Sequence, residues 1–390
     1  MKERGQRDPA LRAALIGLLG LAAAMGVGRF AFTPMLPLMQ LHQSLSLSQG
    51  GQLASANYVG YLLGAVLSAA LAPQPATATK LGLVAVAAST LAMAVTSSLW
   101  AWLVLRLVAG LASAFVLVGA SAWALSVLAS YQRPALAGWV FSGVGVGIFF
   151  AGLAALAIGA MDLAPAVGWL LLGGAASAVA LLAACSSGDD LTPSTKQRRQ
   201  STAPSALDRN ACRLIVCYGT FGFGYIIPAT FLPAASRSLI DNPAVFGWTW
   251  PVFGLAAAAS TIVVSSVLRK STPRRCWAFG QMIMAAGVAL PAFATTLPAM
   301  IVSAICVGGT FMVITMAGMQ EARRTRGESA PRLMAEMTAA FALGQLVAPL
   351  VVSGAEPAAL AIRGPSLIAA ALLFVSAMAL FPEWETTAPP

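Results

Sequence analysis

Residues Gly26-Val27-Gly28-Arg29-Phe30-Ala31-Phe32-Thr33-Pro34-Met35-Leu36-Pro37 have a counterpart at Gly222-Phe223-Gly224-Tyr225-Ile226-Ile227-Pro228-Ala229-Thr230-Phe231-Leu232-Pro233. Gly26, Gly28, Leu36 and Pro37 return as Gly222, Gly224, Leu232 and Pro233, and Gly51 returns as Gly247. Each shift is 196 positions (222 − 26) in a chain of 390 residues, almost half the length. Phe141, Gly143 and Gly147 likewise answer to Phe341, Gly344 and Ala348, at shifts of 200 and 201. Such self-similarity marks one structural unit present twice.

The composition says what kind of unit it is. Hydrophobic residues make up 58% of the chain and charged residues 9%, with a mean hydropathy of +0.81. A soluble protein of this size needs about a quarter of its residues charged. Most of this surface must therefore face lipid. Apolar segments at 13–38, 50–71, 81–98, 101–128, 136–160 and 166–185 are followed by six more at 212–235, 246–268, 276–297, 298–319, 333–355 and 365–382. Each is close to the roughly twenty residues that span a bilayer as helix. The long polar connection, Ser186 to Asn210, sits at the midpoint and holds Asp189-Asp190 and Lys196-Gln197-Arg198-Arg199. The expected architecture is an all-α membrane protein of twelve transmembrane helices in two pseudo-symmetric six-helix bundles. Its expected divisions are residues 1–185, a cytoplasmic linker at 186–211, and residues 212–390 with a short cytoplasmic tail.

The net charge of +10 would suggest nucleic acid in a soluble chain. In a membrane protein, Lys and Arg gather in the cytoplasmic loops. With both termini inside, 19 of the 23 basic residues fall on the cytoplasmic side, and only Arg237 and Arg363 fall outside. The reading is a bacterial inner (plasma) membrane protein, multi-pass, with both ends cytoplasmic and no nucleic-acid partner. Cys185, Cys212, Cys217, Cys276 and Cys306 show neither disulfide nor metal spacing and read as small hydrophobes. The first apolar run follows basic residues as a signal peptide would. It continues through Pro37, so it is read as an uncleaved first helix.

Several strings carry a family resemblance. They are Gly28-Arg29-Phe30-Ala31-Phe32-Thr33-Pro34-Met35-Leu36-Pro37-Leu38-Met39, Ala54-Ser55-Ala56-Asn57-Tyr58-Val59-Gly60-Tyr61-Leu62-Leu63-Gly64, the second-half string from Gly222 to Phe231, and Met337-Thr338-Ala339-Ala340-Phe341. The chain resembles the major facilitator superfamily over essentially its whole length, and more narrowly its YbfB/YjiJ-type branch. The resemblance implies the major facilitator fold and secondary transport by alternating access. Arg106-Leu107-Val108-Ala109-Gly110 fits the superfamily's fourth-helix Arg-x-x-x-Gly pattern, which implies a coupling or gating role for Arg106. The chain departs from the superfamily in the loop from Pro73 to Lys80, which lacks the usual acid and most of the basic residues. The fifth helix departs too, having Gly143, Gly145, Gly147 and Gly152 without the antiporter proline.

Arg29 is the sharpest candidate for a substrate ligand. It lies about 24 Å along the first helix at 1.5 Å per residue, where a charge costs at least about 3 kcal/mol and faces the bundle interior. With no acid at that depth in the first six helices, an anionic substrate is a natural partner. The competing reading is that its guanidinium snorkels outward or bonds carbonyls freed near Pro34 and Pro37. Arg106, about five residues from the outer end of its helix, lies within snorkelling reach of the interface. Asn57, Tyr58, Tyr61, Tyr225 (the repeat mate of Arg29) and Gln345 are the other candidate lining residues, with Thr338 beside them; interhelical hydrogen bonding is their alternative role. Gly143 and Gly147, one turn apart, permit close helix contact and are candidates for a rocking seam. Trp248 and Trp250 read as interfacial anchors, Glu336 as the surface partner of Arg332, and His42 as an outer-loop histidine.

No phosphate-binding loop, paired acids or metal-ligand cluster occurs, so neither an enzyme nor a cofactor or metal is expected. The expected function is secondary active or facilitative transport of a small molecule, an organic anion or amphipathic metabolite, with or without a coupled proton, by a monomer in the lipid bilayer. The alternatives are a proton-coupled multidrug exporter, or a non-transporting membrane sensor or assembly factor on the same fold. A cationic drug needs a countercharge, and Glu336 is the one acid that turning inward would bring near the cavity.

Overall fold

The computed structural model describes residues 8–185, 208–237, 248–267, 271–294, 296–351 and 358–381. Most of the expected linker (186–207), the basic residues Lys2, Arg4 and Arg7, and Arg269-Lys270 lie outside the described residues. The described chain is helical, with short turns and no strand. That is what a bilayer interior requires, because a helix bonds its own backbone groups where no water can.

Twelve rods follow in chain order among the described residues. The first half has α1 (Pro9–Gln43), α2 (Leu47–Leu71), α3 (Pro75–Ala92), α4 (Leu99–Ser130), α5 (Ala137–Ala160) and α6 (Pro165–Cys185). The second has α7 (Arg209–Arg237), α8 (Thr249–Val267), α9 (Pro273–Ala289), α10 (Leu297–Arg326), α11 (Ala330–Val351) and α12 (Ala358–Leu380). Nine described stretches are long and apolar enough to cross a bilayer, and one of them, Pro298–Ala348, takes in both α10 and α11. Proline in the first turn opens α1, α3, α9 and α10, where its missing N–H has no intrahelical bond to lose. Ser46 and Gln49 form a reciprocal cap on α2.

The duplication read from the sequence governs the packing. In the first half α1 packs on α5, α2 on α4, α3 on α4 and α3 on α6. Adding six to each label gives the second half's contacts: α7 on α11, α8 on α10, α9 on α10 and α9 on α12. Between the halves the main contacts are α5 with α8 and α2 with α11, which are mates under the same rule. This is two pseudo-symmetric six-helix bundles.

Burial is reversed relative to a soluble protein. Leu181, Leu182, Val263, Phe374 and Val375 are exposed, while Arg29, Asn57, Arg106, Gln281, Glu321 and Gln345 are buried. Lipid-facing apolar side chains need no cover, whereas polar groups must find partners inside.

Helix α5 uses glycine on two faces. A Cβ on Gly143 would lie 2.0 Å from the Leu18 carbonyl oxygen, and one on Gly147 would lie 2.3 Å from that of Ala22. Both positions therefore let α1 approach within the first half, whereas the contact between the halves lies on the other face of α5. There Gly145 meets Ala258 of α8, and a Cβ on it would come within 2.4 Å of the Ala258 nitrogen.

Candidate functional site

The site begins with an irregularity in α1. From Ala22 to Phe30 the helix widens to π geometry. Pro34 has no N–H to offer the Phe30 carbonyl, and an interrupted ladder favours such widening. Wider turns leave carbonyls that need donors from elsewhere, and each unsatisfied one in an apolar interior costs about 1–3 kcal/mol.

Three side chains supply those donors. Arg106 of α4 gives Nη1 to the Gly28 carbonyl at 3.0 Å and Nη2 to the Arg29 carbonyl at 3.1 Å, and its guanidinium lies 4.8 Å from the Phe32 ring centroid. Asn57 of α2 donates Nδ2 to the Arg106 carbonyl at 2.9 Å and to that of Gly28 at 3.4 Å. Ser113 Oγ lies 2.7 Å from the carbonyls of both Ala24 and Ala109, which share its one proton. Arg106 is 3% exposed. The snorkelling expected from its depth is thus corrected: a planar fork matched to two adjacent orphan carbonyls holds it inside. The role considered for Arg29, bonding freed carbonyls, belongs to Arg106.

Held in this way, the π segment turns Arg29 toward the second half. Its Nη2 donates to Gln345 Oε1 on α11. The guanidinium carbon sits 3.7 Å from the Tyr61 ring centroid and 5.5, 5.7 and 5.8 Å from those of Phe30, Tyr58 and Phe341. Arg29 is 3% exposed, and its Nε and Nη1 have no hydrogen-bond partner among the described residues; neither has Nε2 of Gln345. A buried guanidinium here faces rings and one neutral amide.

Across from it stands an aromatic wall. Tyr225 of α7 stacks on Phe311 of α10 with centroids 4.3 Å apart and planes 14° apart. Phe311 meets Phe30 of the first half edge to face at 5.8 Å, and Phe221 lies 4.9 Å from Phe341. Of the candidates, Arg29, Tyr58, Tyr61 and Gln345 converge directly, Asn57 and Arg106 support them from behind, and Tyr225 belongs to the wall. Thr338 bonds the Met334 carbonyl at 2.7 Å on its own helix. Trp250 stacks on Phe253, with ring centroids 5.5 Å apart. Glu336 pairs with Arg332 at 3.0 Å, as its spacing implied, and His42 lies 3.7 Å from Asp162.

The sequence reading missed Phe311 and Glu321. Phe341 and Gln345 are four apart, one turn of α11, so their shared face was legible. Glu321 is fully buried and held by Arg274 of α9 and Arg324, each at 2.9 Å. Asn210 accepts from Arg274 at 2.8 Å and from Arg213 at 2.9 Å. Glu336 was therefore not the only acid to weigh. Glu321 lies at the basic end of α10, beside Arg323, Arg324 and Arg326, and is already paired.

A family model described as "Uncharacterised MFS-type transporter YbfB" matches residues 21–381. The chain belongs to that family. It is a multi-pass membrane protein and a transporter, and a small-molecule substrate goes with the family. Among solved structures, the crystal structure of the human organic anion transporter MFSD10 (TETRAN) is similar in fold, with a TM-score of 0.75 and 15% sequence identity. The match covers 96% of this chain and 100% of that one. Comparison with curated proteins gave no match.

Proposed function

We propose that this transporter carries a small organic anion across a bacterial inner membrane by alternating access, with Arg29 as the anion's ligand. The observation that carries the reading is the Arg29 guanidinium, buried where the two halves meet, with two nitrogens unpartnered among the described residues and a neutral amide in front of it. In low dielectric an uncompensated charge is costly, and a carboxylate matches the guanidinium fork with two charge-assisted bonds. The similar structure is that of an organic anion transporter, which agrees in sign.

The mechanism follows from the location of each partner. Residues 1–185 and 212–390 move as two bodies joined by the linker at 186–211, both chain ends being cytoplasmic. In the closed arrangement Gln345 of the second body caps Arg29 of the first. When the bodies rock apart, this bond opens and the substrate's carboxylate takes the place of Gln345 Oε1. Closing around the substrate then carries it to the other side. Tyr58 and Tyr61 cover the flat face of the guanidinium throughout, while Arg106 and Asn57 keep the π segment aimed at the gap.

Proteoliposomes loaded with protein and offered labelled organic anions, with and without a pH gradient, test the reading. Arg29→Ala is expected to abolish uptake, and Arg29→Lys to weaken it about tenfold, since lysine keeps the charge but loses the planar fork. Uptake by Arg29→Ala at the wild-type rate contradicts the proposal. Tight binding of permanently cationic dyes by the wild type favours the multidrug-exporter alternative instead.

A further inference from the structure

We infer that the substrate is a monoanion with a flat aromatic body, bound with its carboxylate on Arg29 and its ring against the aromatic wall of the second half. The inference rests on the anion reading of Arg29 and narrows it in two respects, charge and shape.

Charge follows from what each cation already does. Two arginines are buried around the π segment, and the guanidinium of Arg106 is committed to the carbonyls of Gly28 and Arg29. Among the described residues at this depth, Arg29 keeps two unpartnered nitrogens, Nε and Nη1, whereas Arg106 keeps only its Nε, both its Nη groups being taken by the Gly28 and Arg29 carbonyls. A second carboxylate on the substrate would find no second free pair of guanidinium donors and would be desolvated without hydrogen bonds, which apolar surroundings penalise heavily. One free pair of guanidinium donors therefore selects one carboxylate.

Shape follows from the surroundings of that cation. Tyr61 already lies over one face of the Arg29 guanidinium, and Phe341 stands near it from the second half. Beyond them Phe311 and Tyr225 stack nearly parallel, and Phe311 touches Phe30 across the boundary between the halves. This last contact must part when the halves separate, leaving ring surface from both sides beside Arg29. A planar ring restores edge-to-face and stacked contacts there, which exceed the gain from burying the same area of saturated hydrocarbon. A purely structural aromatic core would show no such preference among ligands.

The test uses purified full-length protein in lipid nanodiscs and calorimetric titration with small acids of matched size. Benzoate is expected to bind about five- to tenfold more tightly than cyclohexanecarboxylate, the range that one or two ring contacts supply. Terephthalate should bind on the order of 100-fold more weakly than benzoate, and benzamide not measurably. In Phe311→Leu the benzoate-to-cyclohexanecarboxylate ratio should fall toward one; in Arg29→Ala both acids should be lost, with helicity and monodispersity as in the wild type.

Arg29-dependent binding of the two monoacids with equal affinity overturns the aromatic inference and leaves the anion reading intact. Terephthalate binding as tightly as benzoate overturns the single-charge part. An unchanged ratio in Phe311→Leu removes the wall from the site. Binding of benzamide, or of either acid by Arg29→Ala, overturns both readings. Folded wild-type protein that binds neither acid overturns the inference as well.

Discussion

The two halves share a backbone plan and differ in what they place at the boundary between them. At the repeat position where the first half has Arg29, the second has Tyr225. Around Arg29 the first half gathers Asn57, Arg106 and Ser113, whose donors serve the carbonyls of a π segment. Around Tyr225 the second half gathers Phe221, Phe311 and Phe341. The second half keeps its buried charge elsewhere, in the Arg274–Glu321–Arg324 cluster near the basic end. Duplication thus fixed the helix pairs, and the side chains then diverged into a polar lip and an aromatic one. The proposed function rests on this divergence, because a symmetric pair of apolar surfaces would have nothing with which to choose a charge.

Some features were kept on both sides. Asp8 caps α1 and pairs with Arg133 at 3.2 Å; Asp208 bonds the Ala211 N–H and pairs with Arg326 at 3.3 Å. These pairs hold the first helix of each half to the turn between its fourth and fifth. The Asp8–Arg133 pair is exposed or half-exposed and adds little to stability, whereas Arg326 of the second pair is largely buried.

The largest expected effect of breaking the comparison is on the second half's own charges. Glu321→Ala leaves Arg274 buried without its carboxylate and should lose about 3–5 kcal/mol, read as a large drop in the thermal midpoint of the detergent-solubilised protein. A wild-type midpoint would mean that the cluster is hydrated and not a buried pair. Next comes the first half's equivalent, Arg106→Ala. It orphans the Arg29 carbonyl at about 1–3 kcal/mol and leaves that of Gly28 only the longer bond from Asn57 at 3.4 Å, and anion affinity should fall with stability because the π segment no longer aims Arg29. Arg106→Lys should recover part of both, and recovery of stability without affinity would detach Arg106 from the site.

Gly147→Leu should cost about 1–3 kcal/mol, because its Cβ meets α1 backbone. Transport should suffer more than insertion, since the displaced stretch is the π segment; normal transport would show that α1 yields there harmlessly. The smallest effect belongs to Glu336→Gln. Its pair with Arg332 is exposed, and the loss should stay within about 1 kcal/mol, measured by the same melting experiment; a loss like that of Glu321→Ala would refute the distinction between the two pairs.

How far the sequence could be read depends on the residue concerned. The fold was legible because glycines and prolines at the 196-residue shift and lipid-length apolar runs report directly on helix contacts and spans. Arg29, Tyr61 and Gln345 were legible because a polar group at membrane depth needs an explanation. Arg106 was misread by depth, since nothing in α4 reveals that α1 widens and exposes two carbonyls to it. Glu321 was missed because Glu321-Ala322-Arg323-Arg324-Thr325-Arg326 reads as a charged loop, whereas α10 runs through it to Arg326 and turns the acid inward. Phe311 was missed because an aromatic residue in an apolar helix carries no signal of which neighbour it will face.

The most direct test is to make Gln345 itself the anion. Gln345→Glu keeps the size of the side chain and places a carboxylate where a neutral amide now meets Arg29. That tethered carboxylate should hold the halves closed and occupy the guanidinium, so that the thermal midpoint rises. Benzoate and cyclohexanecarboxylate titrated into the variant should then show at least about a 100-fold loss of affinity, the scale of a displaced charge-assisted bidentate contact. A Gln345→Glu protein that binds these acids with wild-type affinity would contradict the account.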